Sequence, residues 1–66
     1  MNLIEERKRA NFTQREVGRL SSISESYYSM IESGERKPTV KTAKKIAAVL
    51  GFDWTLFFED EKKDPA

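Results

Sequence analysis

Between Ile23 and Pro38 the chain reads ISESYYSMIESGERKP, and the side chains in it that could do chemistry are hydroxyls, a thioether and carboxylates. At helical spacing Ser24, Tyr27, Tyr28 and Ile31 share one side of this stretch, and Glu25, Ser26, Ser29, Met30 and Ser33 share the other. The second side lacks the Lys and Glu that cover an ordinary solvated helix. Its short side chains allow close approach to another surface. A serine hydroxyl there donates or accepts, while a glutamate carboxylate only accepts. Reactive chemistry is disfavoured, because the chain has no cysteine and no histidine, the commonest nucleophile, general base and ligands of structural zinc. We expect no enzyme, no metal site and no cofactor.

A chain of 66 residues is one domain near the lower limit for a self-supporting core, with no disulfide to compensate. The longest apolar runs, such as Ile46 to Leu50, are far too short to span a bilayer, and no signal-peptide pattern opens the sequence. The expectation is a cytoplasmic protein with no membrane partner. The net charge of +1 hides an asymmetry: residues 1–45 hold ten Lys/Arg against six Asp/Glu, while residues 46–66 hold two against five. One end of the molecule suits an anionic partner. The plainer alternative is that these charges only solvate a small helical domain.

The elements that must position the serine face are five helices. Asn2 caps the first, with Leu3, Arg7 and Ala10 on one face, and Asn11 ends it in a left-handed conformation. Thr13 and Glu16 form a capping box for the second, bracketed by Phe12 and Val17, and that helix runs to about Leu20. Ser24 caps the third, which ends at Gly34. Thr39 caps the fourth, whose Val40, Ala43, Ile46, Ala47 and Leu50 form an apolar stripe closed by Gly51. Asp53 caps a short fifth, with Phe52 and Phe57 placed as a staple. Residues 59–66, charged and without apolar anchors, are expected to fray as a tail to a domain spanning 1–58.

The second and third helices, joined by a turn of about three residues from Ser21 to Ile23, resemble a helix-turn-helix unit. Gly18 offers the side-chain-free spot where the two helices approach, Ile23 plugs the turn, and Tyr28 and Ile31 fix the third helix to the core. With TQREV, ISESYYSMIESGERKPT and KTAKKIAAVLGF in register, the chain resembles the Xre family of regulators, which includes the DNA-binding domains of lambdoid phage repressors and Cro proteins. The resemblance covers Leu3 to Phe58. It implies a compact, all-α, five-helix phage-repressor-like domain acting as a sequence-specific transcriptional regulator, most simply a repressor holding a palindromic, inverted-repeat operator as a homodimer. Three departures stand out. Ser22 replaces the family's turn glycine and Gly18 its usual alanine, each at about 1 kcal/mol. Tyr28 is bulkier than the usual aliphatic residue, and its hydroxyl needs a partner or an exit.

The resemblance also distributes roles. Glu25, Ser26 and Met30 would read base edges, with Tyr27 at the boundary between base and backbone. Gln14 and the loop residues Arg36 and Lys37 would grip phosphate, with amides at helix N-termini and with Arg15 and Lys41 as additions. Arg7 and Glu32 match a structural ion pair of the phage repressors. Leu56 falls outward beside Trp54, where the two suit a dimer contact. A chain of this length leaves no room for a separate sensing domain, so no small-molecule effector is expected. Two other readings stay open: a helix-turn-helix fold used to bind another protein, and the autoregulating antitoxin of a toxin–antitoxin pair.

Overall fold

A computed structural model describes residues 2–63, with side chains over 2–58. The protein is built from helices α1 (Leu3–Arg9), α2 (Gln14–Leu20), α3 (Glu25–Ser33) and α4 (Val40–Leu50), followed by a 3-10 helix, Trp54–Lys63. No strand occurs among the described residues, so the fold is all-α.

Each α-helix begins on a side chain that satisfies an amide the helix itself cannot. The Glu5 amide donates to Asn2 Oδ1 at 3.2 Å, the Tyr27 amide to Ser24 Oγ at 3.0 Å and the Thr42 amide to Thr39 Oγ1 at 3.1 Å. At α2 the exchange is reciprocal: the Glu16 amide donates to Thr13 Oγ1 at 3.1 Å and the Thr13 amide to Glu16 Oε1 at 2.8 Å. The ends are equally local. Gly34 and Gly51 carry φ of 88° and 83°, and Asn11, just past α1, has φ 64°.

The apolar sides of these helices close one core of Leu3, Val17, Tyr28, Ile31, Ile46 and Leu50, with Phe12, Ile23, Tyr27 and Phe57 among the residues packed around it. Helix α2 packs on α3 and α4, and α4 on the 3-10 helix. Gly18 is where α2 meets the start of α3. A Cβ there would lie 3.2 Å from the Ile23 carbonyl oxygen and 3.3 Å from the Glu25 amide nitrogen, so glycine lets the backbones approach closely. Ile23 sits half-buried in the turn between them.

Two expectations from sequence need correction. Val40 belongs to the periodic stripe of α4 but is 48% exposed. As the first residue of the helix its Cβ points back past the helix start, beyond the reach of the core. The fifth element is a 3-10 helix rather than an α-helix. Asp53 accepts at Oδ1 from both the amide and the hydroxyl of Thr55, at 3.0 and 2.9 Å, which holds the first turn tight. Phe52 and Phe57 do face one another, with ring centroids 5.4 Å apart. The segment expected to fray, 59–66, lies outside the residues whose side chains are described.

Ser22 has φ 61°, a left-handed conformation that its Cβ disfavours. Ser22→Gly should therefore raise stability by about 0.5–1 kcal/mol, the relief of strain exceeding the added freedom of the unfolded chain. Urea denaturation measures it. An unchanged or lower midpoint would show that Ser22 is not strained.

Candidate nucleic-acid interface

The turn between α2 and α3 sets the two helices so that the start of α2 and the outer side of α3 share one surface. Gln14, Glu25, Ser26, Ser29 and Met30 line a single shallow hollow there. Glu25 and Ser26 are exposed, and Ser29, Met30 and Gln14 are half-buried. Tyr27 is half-buried too and leans on the core, at the edge of this surface.

The serines of α3 differ in what their hydroxyls are already doing. Ser24 Oγ accepts the Tyr27 amide as the helix cap, and the Ser33 hydroxyl donates back to the Met30 carbonyl at 3.1 Å. Ser26 and Ser29 have no hydrogen-bond partner among the described residues. Those two hydroxyls are uncommitted within the fold.

Exposed basic residues occur in the loop after α3 and near the starts of α2 and α4. The loop after α3 is tied to the helix end by the Glu35 and Arg36 amides, which donate to the Met30 carbonyl at 3.0 and 3.3 Å, while Pro38 is buried. This anchoring leaves Arg36 and Lys37 on the surface, and Arg15 and Lys41 are exposed as well. Lys44 is engaged differently, its ammonium lying 5.1 Å from the centroid of the Trp54 ring. Sequence periodicity carried no signal for that contact, because its partner lies on the next element.

Behind the hollow lies a buried charge cluster. Arg7 Nε donates to Glu32 Oε2 at 2.6 Å, with side-chain exposures of 14% and 3%. Arg7 Nη1 also donates to the Phe12 carbonyl at 3.0 Å, and Gln14 Nε2 donates to Glu32 Oε1 at 2.7 Å. The last bond was not foreseen from sequence. Burial pushes the Glu32 carboxyl up, but hydrogen bonds from Arg7 and then Gln14 outweigh it and hold the group below its ordinary range. The hydrogen bond to Glu32 raises Arg7 above its ordinary value despite burial. The Tyr28 hydroxyl, wholly buried one turn before Glu32, lies beside this pair without closing a hydrogen bond to either member. Burial, then Glu32, push its phenol well above the usual range.

Leu56 is half-buried rather than fully outward. It lines an open groove with Leu3, Ile31, Pro38 and Phe57, rimmed by Arg36 and Lys37. Trp54 is half-buried beside Phe58, their rings edge to face at 6.1 Å.

A short α2, a tight turn braced by Gly18 and Ile23, and an α3 with one face in the core and one outside define a helix-turn-helix protein. The helix-turn-helix family model matches residues 3–57, and the chain belongs to that family. It is similar to an uncharacterized HTH-type transcriptional regulator, YqaF, of Bacillus subtilis (strain 168), with 59% identity over 49 residues that cover 74% of this chain and 64% of that protein. The chain thus spans just under two thirds of the length of this curated relative. No solved structure matches it.

The pair's energetics follow from its burial. Arg7→Met should destabilise the fold by about 3 kcal/mol by stranding the Glu32 charge, and Arg7→Met/Glu32→Leu should recover much of that loss. Small, additive effects in a double-mutant cycle would contradict this. Because folding holds Glu32 below its unfolded pKa, its contribution is full at neutral pH and is lost as pH falls through the folded-state value, below the ordinary carboxylate range. Denaturation of both proteins between about pH 7 and pH 3 should show a shallower acid loss for the double variant. Parallel acid limbs would mean that Glu32 does not titrate as described.

Proposed function

We propose that this chain is a sequence-specific DNA-binding transcriptional regulator, in its simplest form a cytoplasmic repressor that holds an inverted-repeat operator as a homodimer. The observation that carries the reading is the surface of α3. Ser26 and Ser29 keep their hydroxyls free beside Met30 and Glu25, on the outer face of the second helix of a helix-turn-helix. In the major groove such a face reads base edges: serine to donors or acceptors, methionine to a thymine methyl, glutamate to the cytosine amino group. Arg36 and Lys37, with Arg15 and Lys41, supply sequence-independent attraction to phosphate. The similarity to a relative described as an HTH-type transcriptional regulator supports the same class of function. No helix among the described residues is long and apolar enough to cross a membrane. Residues 1–58 are the proposed binding unit.

Binding to duplex DNA should weaken steeply with salt, with log K falling against log salt at a slope of about −4 to −7 for ~4–8 contacted phosphates per dimer. Arg36→Ala or Lys37→Ala should weaken all sequences alike and flatten that slope. Ser26→Ala or Met30→Ala should instead change which sequences are selected from a random pool. A panel without this division, or retention of a protein partner in place of DNA, would overturn the reading.

In the proposed dimer, Leu56 and Trp54 meet their counterparts and set two α3 helices about 34 Å apart, one turn of DNA. The groove that Leu56 lines, with Leu3, Ile31 and Phe57 among its walls, and the half-buried Trp54 support this placement. Leu56→Glu should leave half-site binding intact, which also reports that the domain is folded, while abolishing cooperative filling of a full operator. Titration of half and full operators, with sedimentation alongside, reads both. Unchanged full-operator affinity would refute the dimer assignment.

A further inference from the structure

Glu32 does more than balance Arg7. An ionised carboxylate only accepts, so the Gln14 amide must turn its NH2 toward Glu32 Oε1 and its carbonyl away. One N–H of that amide is engaged at 2.7 Å, and the second projects away from the first. Gln14 stands at the rim of the hollow that Ser26, Ser29 and Met30 also line. Glu32 is itself fixed, 3% exposed and held at Oε2 by Arg7 at 2.6 Å. Arg7 is fixed in turn by the Phe12 carbonyl. A flexible surface side chain is thus given one orientation by a buried carboxylate.

We infer that Glu32 is a positioning residue for DNA binding: it aims the free N–H of Gln14 at a backbone phosphate, with Arg7 acting through Glu32 as the brace. The inference rests on the DNA-binding reading above and deepens it. A glutamine left to itself must order several side-chain torsions on binding. Here the fold has already ordered them. The donor is neutral, so its contact displaces no cation from the duplex, and its loss should lower affinity while leaving the salt slope as it was.

The experiment compares the full chain, Gln14→Ala, Arg7→Met/Glu32→Leu and the triple variant, each titrated against a short mixed-sequence duplex. In the parent, Gln14→Ala should weaken binding about five- to tenfold with no change in salt slope. In the Arg7→Met/Glu32→Leu background, with folding checked by circular dichroism, the same change should cost less than about twofold, because nothing aims the amide there. Equal losses in both backgrounds, or no loss in the parent, would overturn the positioning role. Failure of the parent to bind any duplex would instead remove the DNA-binding reading and this inference with it. A second measurement needs no variant. In the free protein one Gln14 Nε2 proton should exchange slowly with solvent and the other quickly, and added duplex should protect the second while the first stays protected. Loss of protection at the first proton, or no gain at the second, would show that Gln14 does not work between Glu32 and phosphate.

Discussion

The structure depends on a single buried carboxylate. Glu32, near the end of α3, accepts from Arg7 on α1 and from Gln14 at the start of α2, while Arg7 also donates to the chain between them at Phe12. Three helices and one connection therefore converge on one side chain. In a core of six clustered apolar residues, dispersion and burial alone leave small helices room to slide. Hydrogen bonds with fixed lengths and directions do not. A buried ion pair gives little net stability over an apolar replacement, because desolvation offsets most of the attraction. What it does here is tie α1, the chain at Phe12 and the start of α2 to α3, the helix whose outer face is the candidate interface.

The turn between α2 and α3 shows the same preference for geometry over stability. Gly18 weakens a short helix by about 1 kcal/mol relative to alanine, yet it removes the Cβ that would crowd the Ile23 carbonyl and the Glu25 amide. Ser22 holds a left-handed backbone that suits glycine better. Tyr28 buries a phenol without a hydrogen-bond partner beside Glu32. These three departures from the best local choice surround the turn and the charge cluster, the two features that decide how α3 is presented. Elsewhere the chain is locally consistent, with a side-chain cap at the start of every α-helix.

The exposed cations before Gly51 include Arg15, Arg36, Lys37 and Lys41, whereas the aromatic residues after Gly51 pack on α4 and on one another. Lys44, on α4, lies over the Trp54 ring.

Much of this was legible in the order of residues because its causes are local. A cap and the amide it satisfies are three residues apart, so Asn2, Thr13, Ser24 and Thr39 announced the four α-helices. Gly34, Gly51 and Asn11 announced ends that depend only on φ. Family resemblance pointed to the partnership of Arg7 with Glu32, 25 residues away. Other features depend on where whole elements come to rest, which no window of sequence contains. The bond from Gln14 to Glu32 forms only after α2 has docked on α3, and the Lys44–Trp54 contact only after the chain has turned at Gly51. Val40 obeyed the helical period yet lies outside the core, because periodicity names a face but not how far the neighbouring helices extend along it. Leu56 is half-buried rather than outward, on an open groove that Leu3, Ile31 and Pro38 also line. Sequence alone determined which helices form and which faces are apolar; tertiary packing decided which polar groups meet, because hydrogen bonds between elements require a docking that local forces do not specify.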